Sequence, residues 1–418
     1  MSERLATTLR EICDGDRGIQ TGPFGSQLHA EEYSDEGLPV VMPQDLGDNT
    51  INTAQIARVP EHVAARLARH QLRAGDIVFS RRGDVTRRAL VGESNVGWLC
   101  GTGCLRARPG GSVDSRFLSY LLGTAEVRDW LNGNAVGTNM LNLNTTILGR
   151  LPLLIPGLPE QQAIAEVLGA LDDKIATNTA LAATLLEFIH AEFSRRFDGR
   201  GLDVPLGSLA TVVDCLHSKK PNQTSDGPIL MQLNNIRDDG LVNRDSAYRV
   251  SIGDYEKWSR KFETRAWDLV ITNVGRIGAV ARIPEQYTVA IGRNMTGIRP
   301  VDTAESGSFL AAALLSAPVR REVELRTDAG SVMSALNVRS VPLLRLQDST
   351  PTERREFHAT VAPLFAHADK TLLQNRTLAA TRDAILPQLM SGKLRVRDAE
   401  AMAFTAGATT PTGANDER

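Results

Sequence analysis

Four arginines lie within one short stretch, SRRGDVTRR at residues 80–88, which directly follows an apolar run. A guanidinium group suits phosphate oxygens, and it can also donate two parallel hydrogen bonds to the edge of guanine. Gly83, in the middle of the stretch, would let the backbone approach a ligand closely. The stretch therefore predicts a site for a polyanion; the alternative is a solvated turn.

Motifs for catalysis are absent from the sequence. No Asn/Asp-Pro-Pro-aromatic stretch of an amino-methyltransferase occurs, GTGCLR at 101–106 lacks the third glycine of a nucleotide loop, and GxxxxGK[ST] is missing. No nucleophile elbow or zinc-protease signature occurs either. The four cysteines, at 13, 100, 104 and 215, predict neither a disulfide framework nor a zinc site, because no second Cys or His pair stands at ligand spacing. The sequence predicts a protein that is not an enzyme and binds no metal.

The charge of the chain is segregated although its net value is only −2. Residues 58–116 hold 11 Arg against five acids, and residues 217–299 hold 13 Lys and Arg against nine acids. Residues 158–198 between them hold three basic and seven acidic residues. This pattern permits contact with a polyanion at two places. A hydrophobic content of 42%, with no signal peptide and no apolar run long enough for a membrane span, predicts a cytoplasmic globular protein.

Segments of the first half of the chain recur in the second half in the same order. NTALAAT (178–184) returns as NRTLAAT (375–381), RAGDIVFSRRG (73–83) as RAWDLVITNVG (265–275), and GLPVVMPQDLGDNTIN (37–52) as GPILMQLNNIRDDGLVN (227–243). The openings LREICD at 9 and LATVVD at 209 also align. The nearly constant offset predicts a tandem duplication of the whole chain.

Each copy alternates short apolar runs with Gly, Pro, Asp and Asn clusters and then enters a long helical pattern. The predicted fold class is α+β, a tandem duplication of a mixed α/β domain followed by a long helix. Pro159 and Pro351 stand where these helices can start, and Gly199 and Gly392 where they can end. Pro387 is predicted to kink or end the second helix.

Both long segments repeat their seam residues at alternating steps of three and four, the pattern of a coiled coil. Each seam has one side only, so we expect the two helices to pair as an antiparallel coiled coil. Asn178 and Asn375 would fix its register, unless the two copies simply retain ancestral letters. The predicted seam comprises Leu168, Leu171, Ile175, Asn178, Leu185, Asn375, Leu378 and Ile385.

At this point the sequence resembles the specificity, or DNA-recognition, subunits of type I restriction-modification systems. GPFGSQL (22–28), LPEQQAIAEVLGALDDKI (158–175) and ILPQLMSGKLRV (385–396) carry the resemblance together with the duplicated layout, over residues 1 to about 396. It implies two target-recognition domains, each reading one half of a split asymmetric double-stranded DNA target. It also implies helices that set the spacer and dock two methyltransferase subunits, with restriction subunits joining the complex. S-adenosylmethionine, ATP and Mg are expected on those partners, and no cofactor on this chain.

Contact residues do not transfer from this family by motif, so they are predicted from chemistry: Arg, Lys, Asn and Gln for base edges, and basic or small polar groups for phosphates. In the first domain these are Arg81, Arg82, Thr86, Arg87, Arg88, Gln20, Phe24, Ser26 and Gln27. In the second domain they are Ser218, Lys219, Lys220, Asn222, Gln223, Thr272, Asn273 and Arg276, next to His217 and with Gln232, Asn234 and Asn235 as weaker choices.

Five segments are predicted. They are target-recognition domain 1 (1–157), a central spacer helix (158–198), target-recognition domain 2 (199–348), a distal spacer helix (349–396) and a disordered tail (397–418). Two alternatives stay open: a non-catalytic coiled-coil scaffold with protein-binding end domains, and a specificity subunit of a methyltransferase-only system.

Overall fold

A computed structural model of the chain describes residues 4–15, 17–137, 140–328 and 334–409. The chain forms two compact units: unit one comprises residues 1–175 together with 376–418, and unit two comprises residues 176–375. Each unit combines one α/β domain with a part of both long helices. Within the described ranges, no helix has the length and hydropathy needed to cross a membrane.

Unit one is built on a four-stranded antiparallel sheet in the order β2-β8-β5-β6. A three-stranded sheet, β4-β3-β7, and an antiparallel pair, β1-β9, complete its β-structure. The strands are β1 (Leu5–Thr8), β2 (Ile19–Thr21), β3 (Leu38–Val41), β4 (Ala57–Val59), β5 (Ile77–Ser80), β6 (Arg88–Leu90), β7 (Leu99–Cys100), β8 (Cys104–Ala107) and β9 (Pro152–Ile155).

Unit two repeats this plan with the sheet β11-β16-β13-β14, the parallel pair β12-β15 and the antiparallel pair β10-β19. Its strands are β10 (Leu202–Pro205), β11 (Ala210–Asp214), β12 (Leu230–Met231), β13 (Leu269–Thr272), β14 (Val280–Arg282), β15 (Ala290–Ile291), β16 (Met295–Pro300), β17 (Thr327–Asp328), β18 (Ala335–Leu336) and β19 (Arg345–Gln347).

The register of the two large sheets confirms the duplication. Ile77 pairs with Ala107 in unit one, and Leu269 pairs with Ile298 at the same place in unit two. One detail of the sequence alignment is wrong, however. The backbone N–H of Leu9 donates to the carbonyl of Leu151, and that of Leu206 donates to Leu344 in the same way. Each of these two leucines directly follows the first strand of its copy. Leu9 is therefore equivalent to Leu206 and not to Leu209.

Two long helices follow the domains, and several short ones lie within them. The helices are α1 (Glu61–Arg66), α2 (Ser115–Leu121), α3 (Ala125–Asn134), α4 (Thr145–Gly149), α5 (Leu158–Phe197), α6 (Ile252–Ser259), α7 (Ser308–Ala313), α8 (Ala317–Leu325), α9 (Pro351–Met390) and α10 (Val396–Ala406).

The ends of the long helices follow from local chemistry. Thr350 and Glu353 form a capping box at the start of α9, since each side chain accepts from the other's backbone N–H at 3.3 and 2.8 Å. Gly199 and Gly392 adopt positive φ angles of 80° and 72° just past the two helices, as predicted.

The structure corrects two predictions for the C-terminal region. Pro387 does not end α9, which continues to Met390 because Ile385 and Leu389, on either side of Pro387, are buried in the core of unit one. The predicted kink at Pro387 stays a prediction. The predicted disordered tail is helical at its start, where α10 buries Ala399, Ala403 and Ala406 in the same core. Because its buried residues are alanines, a search for a pattern of large apolar residues does not detect this helix. The rest of the tail, from residue 410, lies outside the described residues.

The long helices pack against each other within each unit. In unit one, Leu168 and Leu171 of α5 share a core with Leu378 and Ile385 of α9, and Ile175 packs at its edge. In unit two, Phe193 and Phe197 of α5 lie 5.8 and 5.7 Å from the ring of Phe357 in α9. The start of each helix thus meets the end of the other, which confirms the antiparallel pairing.

The predicted seam of α5 is correct from Leu168 to Asn178, but Leu185 lies one residue away from the buried position. Leu186 is buried, 6% exposed, whereas Leu185 is only half-buried. The buried positions Asn178, Ala182, Leu186 and Ile189 are spaced by four, four and three residues, an 11-residue repeat that follows a nearly straight helix more closely than the heptad does. Leu185 was therefore the wrong choice.

Asn178 and Asn375 do lie on the helix pair, and each bonds to a neighbour of the other. Asn178 Nδ2 donates to Gln374 Oε1 at 3.1 Å, and Asn375 Nδ2 donates to Thr179 Oγ1 at 3.0 Å. A one-turn slip would separate both pairs and leave the buried Asn178 amide without its partner. The bonds fit the predicted role in fixing register.

Candidate nucleic-acid interface

Four loops of unit one meet where strands β2, β3 and β5 end and strand β8 begins. The backbone N–H of Gly101 donates to the carbonyl of Val41 at 2.9 Å, and that of Arg81 donates to Gly103 at 2.8 Å. A Cβ atom on Gly22 would lie 1.9 Å from the carbonyl oxygen of Gly101, so only glycine allows this approach. We call the four loops, residues 22–28, 42–45, 81–87 and 101–103, corner one.

Corner one presents an arginine stacked on an aromatic ring. Phe24 is 51% exposed, and the Arg81 guanidinium carbon lies 5.7 Å from the centre of its ring. The hydroxyl of Thr102 donates to the carbonyl of Pro23 at 3.0 Å and so holds the loop that carries Phe24. Arg82 is exposed next to this pair. The stacked pair offers an aromatic face and a cation together, which suits a nucleobase beside a phosphate.

The other polar residues predicted for corner one divide into exposed and structural groups. Arg87 is half-buried, and its Nη2 donates to the carbonyl of Gln44 at 3.4 Å. Thr86 instead closes its own turn, donating from Oγ1 to Asp84 at 2.6 Å. Ser26 is exposed. Gln27 accepts from the backbone N–H of Phe24 at 3.2 Å and shapes the loop.

Gln20 faces the interior of the domain. Its Oε1 accepts from Arg106 at 3.2 Å, and its Nε2 lies 3.5 Å from Nδ1 of His70. Burial and the neighbouring Arg69 guanidinium lower the pKa of His70 to about 4, so this imidazole is neutral near pH 7. Gln20 is therefore half-buried and engaged, which makes it a support for β2 and not a free reading group.

Arg88 was predicted to contact DNA, and the structure contradicts this. Its side chain is only 3% exposed, with Nη1 donating to Asp48 at 2.8 Å and Nε donating to the carbonyl of Ser119 at 2.9 Å. Burial raises the pKa of Asp48, but Arg88 and Arg128 outweigh it and keep that pKa below its usual value. Arg88 points inward because it belongs to strand β6, where alternate side chains face the core.

Unit two builds an equivalent corner from different residues. The backbone N–H of Gly292 donates to the carbonyl of Met231 at 2.9 Å, and that of Asn273 donates to Asn294 at 2.8 Å, matching the two bonds of corner one. The thiol of Cys215 lies against the backbone amides of Met295 and Asn294. We call these loops, residues 215–223, 232–235, 273–276 and 292–294, corner two.

Thr272 and Asn273 were also predicted to contact DNA, and both are buried. Asn273 donates from Nδ2 to the carbonyl of Leu336 at 2.9 Å, and its Oδ1 accepts from Thr296 at 2.9 Å. The Thr272 hydroxyl donates to the carbonyl of Arg276. These two residues are wrong as reading groups, because they close the turn after β13 from within.

Arg276 is exposed, but its guanidinium is already bonded within the chain. Its guanidinium pairs with Asp238 and donates from Nη1 to the carbonyl of Ile236 at 2.5 Å. DNA contact by Arg276 would require this ion pair to open, so it is a weaker prediction than the residues of 217–223.

The stretch 217–223 is the exposed part of corner two. Lys219, Lys220, Asn222 and Gln223 are exposed, and the Lys220 ammonium lies 3.7 Å from the centre of the Tyr248 ring. The Ser218 hydroxyl accepts from Lys257 at 3.4 Å. This cationic loop suits a phosphate backbone.

Asp214, Cys215 and His217 place three ligand atoms within 4.8 Å of one another. His217 Nε2 and Asp214 Oδ2 are hydrogen-bonded at 2.8 Å, and burial raises the pKa of the Cys215 thiol. A structural zinc site uses about four protein ligands. This group supplies one ligand fewer, and one of its members is a protonated thiol.

Two exposed residues were missed by the sequence reasoning. Gln44 lies in corner one, at the place that the weakly favoured Asn234 holds in corner two. Arg293 is exposed on the turn between β15 and β16. Aligning GTG at 101–103 with GRN at 292–294 after the matched strands would have found Arg293.

Comparison with known proteins agrees with this arrangement. Residues 45–187 match the family described as the Type I restriction modification DNA specificity domain. The Type I restriction enzyme MjaVIII specificity subunit of Methanocaldococcus jannaschii is 26% identical over 176 residues, which cover 40% of this chain and 39% of that protein. The crystal structure of the type I restriction-modification system S subunit from M. genitalium aligns over 93% of this chain and 96% of its own, with 14% identity and a TM-score of 0.60.

The fold is thus that of a type I S subunit, with two α/β domains and two paired helices. Residues 45–187 are similar to the DNA specificity domain of type I restriction-modification systems, which confirms the resemblance inferred from the sequence.

Proposed function

We propose that this chain is the DNA-recognition subunit of a type I restriction-modification complex, in which each α/β domain reads one half of a split, asymmetric duplex target. The observation that carries the proposal is the pair of equivalent corners. Both are built from the same strand ends, yet their exposed side chains differ in type. Equivalent scaffolds with different contact groups suit two half-sites of different sequence.

The residues proposed to touch DNA follow from exposure and chemistry. In corner one they are Phe24, Ser26, Arg81, Arg82, Arg87 and Gln44; in corner two they are Lys219, Lys220, Asn222, Gln223 and Asn234. The cations would hold phosphates, and the amides and Arg81 would meet base edges.

The chain itself would be non-catalytic and would act in the cytoplasm. Methyl transfer and cleavage would belong to two modification subunits and to restriction subunits that join them. Since the sequence carries none of the corresponding motifs, S-adenosylmethionine, ATP and Mg are placed on those partners. The paired helices would set the spacer between the half-sites.

The direct test is to co-express the chain with its modification subunit in a methylation-free host and to map N6-methyladenine across the genome. We expect one split motif that appears only when this chain is present. If both proteins are soluble and associated but no methylation appears, the DNA-recognition proposal fails and the scaffold alternative gains. Adding the restriction subunit then separates a full system from a methyltransferase-only one.

A charge-reversal variant tests corner one. Arg81→Glu, Arg82→Glu and Arg87→Glu together should abolish methylation at the motif while association with the modification subunit persists. Arg82→Glu alone is then compared with Arg73→Glu, which makes the same change of charge at an exposed arginine beyond the opposite end of strand β5. An equal loss in both variants would show that net charge, and not corner one, determines binding.

A further inference from the structure

Arg293 occupies the tip of corner two and is held there by the surrounding backbone. The residue after it, Asn294, has a φ of 63°, and the equivalent residue of corner one, Gly103, has a φ of 87°. The residue before it, Gly292, has no room for a Cβ atom, which would lie 2.4 Å from the carbonyl oxygen of Met231. The turn therefore has the same conformation as residues 101–103, with Arg293 at the position of Thr102.

The buried Asn273 fixes this turn to the central sheet. Its backbone N–H donates to the carbonyl of Asn294 at 2.8 Å, and its side chain is bonded to Thr296 and to the carbonyl of Leu336. Among the described residues, Arg293 makes no ion pair, whereas Arg276 is tied to Asp238. Among the described residues, Arg293 is thus an arginine without an ion-pair partner, on a turn that is hydrogen-bonded to the sheet.

At two equivalent positions, the corners carry an arginine on different loops. Corner one has Arg81 at the end of β5 and Thr102 on the turn, while corner two has Asn273 at the end of β13 and Arg293 on the turn. In both corners, one of these two positions holds an exposed or half-buried arginine. The other position holds a small polar residue whose side chain bonds to a backbone carbonyl. Each corner thus has an arginine at one of these two positions, but the arginine extends from a different loop in each corner.

We infer that Arg293 is a specificity-determining residue of the second domain, which reads a guanine of its half-site through O6 and N7. The backbone of Arg293 is held by the turn, and its guanidinium makes no ion pair among the described residues. Such a guanidinium is free to make two parallel hydrogen bonds to this base edge. The inference rests on the proposed function, since it assigns a base contact to a domain proposed to read DNA.

The test uses the full chain in its complex with the modification subunit, and it compares Arg293→Ala and Arg293→Lys with the unaltered chain. Methylation rates are measured on duplexes that carry the mapped motif with single base-pair replacements. For both variants we expect discrimination at one G·C pair of one half-site to fall by about 10- to 100-fold, while the other half-site keeps its sequence. Lysine keeps the charge but loses the planar fork, so it should not restore discrimination.

Arg265→Ala is the matched control, because Arg265 is an exposed arginine at the opposite end of strand β13. It should leave the motif unchanged. Thermal unfolding of all variants checks that the fold is kept.

Several outcomes would overturn the inference. Uniform weakening at every position, rescued by Arg293→Lys, would make Arg293 a phosphate contact only. An unchanged motif would remove it from the interface. If the unaltered chain directs no split motif at all, the proposed function fails, which is a different result from a variant that keeps the motif.

Discussion

The buried side chain of His70 makes the stability of the first domain depend on pH. It is 3% exposed, its Nε2 accepts from Arg69 Nε at 2.9 Å, and its pKa lies at about 4. The unfolded chain binds this proton at a pKa of about 6.5, so the folded state takes up the proton only at lower pH. The contribution of neutral His70 to stability is therefore present above pH 6.5 and is lost as the pH falls towards 4.

We expect the free energy of unfolding to fall between pH 6.5 and pH 4, by at most about 3 kcal/mol from this residue. Urea denaturation across that range measures the change. His70→Gln should flatten the pH dependence, and His62→Gln, an exposed histidine on α1, should leave it as it is. Identical curves for His70→Gln and the unaltered chain would show that other groups control the acid transition.

Acidic residues of the long helices bond to the neighbouring domain and, in unit one, also to the other long helix. In unit one, Asp172 accepts from the Tyr120 hydroxyl at 2.5 Å and from Arg382 at 2.6 Å. In unit two, Asp369 accepts from Arg282 at 2.7 Å. The offset between the two acids, 197 residues, is that of Asn178 and Asn375. Equivalent acids thus serve the same purpose with different partners.

The packing of α5 yields a test of the corrected seam. Leu186 is buried against the core of unit two, and its neighbour Leu185 is half-buried. Leu186→Ala should lower the free energy of unfolding by about 2 to 5 kcal/mol. Leu185→Ala removes the same atoms from a more exposed place and should cost less than about 1 kcal/mol. Equal costs in chemical denaturation would restore Leu185 to the seam.

The last helix completes the core of unit one. Four buried alanines in α10 and just after it share this core with Phe117 of α2 and Ile385 of α9. Arg4 adds a second link, since its guanidinium donates to the carbonyls of Leu389 and Met390 at the end of α9. The C-terminal segment is therefore part of the first domain's support. The four alanines are Ala399, Ala403, Ala406 and Ala408.

A chain that ends at residue 394 should lose protection of unit one in hydrogen exchange, by up to about 3 kcal/mol for four buried alanine methyl groups. Unit two should keep its protection. A chain that ends at residue 409 retains α10 and is the matched control. If both shortened chains exchange alike, α10 does not stabilise unit one.

At the scale of the whole molecule, the duplication gives the chain two equivalent corners, which we propose to act independently. Each corner lies within its own unit, and each is supported by a separate sheet. Exchanging residues 199–348 for the equivalent domain of a relative should therefore alter one half-site of the methylated motif and leave the other unchanged. Mapping N6-methyladenine with the exchanged chain measures this. A change in both half-sites would contradict the two-domain proposal.

The sequence alone determined the architecture of this protein. The repeated segments predicted two copies, because a constant offset over many short matches leaves no other explanation. Prolines and glycines predicted the helix ends, since these signals act over a few residues. Arg81 and Phe24 could be proposed from the sequence for the same reason, because loops rich in glycine and charge are recognisable from a few neighbouring residues.

Only the tertiary structure decided which polar residues face outward. Arg88 and Asn273 stand in loops or strand ends that look like those of Arg81, yet they bond to backbone carbonyls 31 and 63 residues away in the chain. Such long-range hydrogen bonds leave no periodic trace in the sequence. Arg293 went unnoticed because one arginine on a tight turn has no pattern of its own. It becomes significant only when two strands place it at the corner that the duplicated fold builds twice.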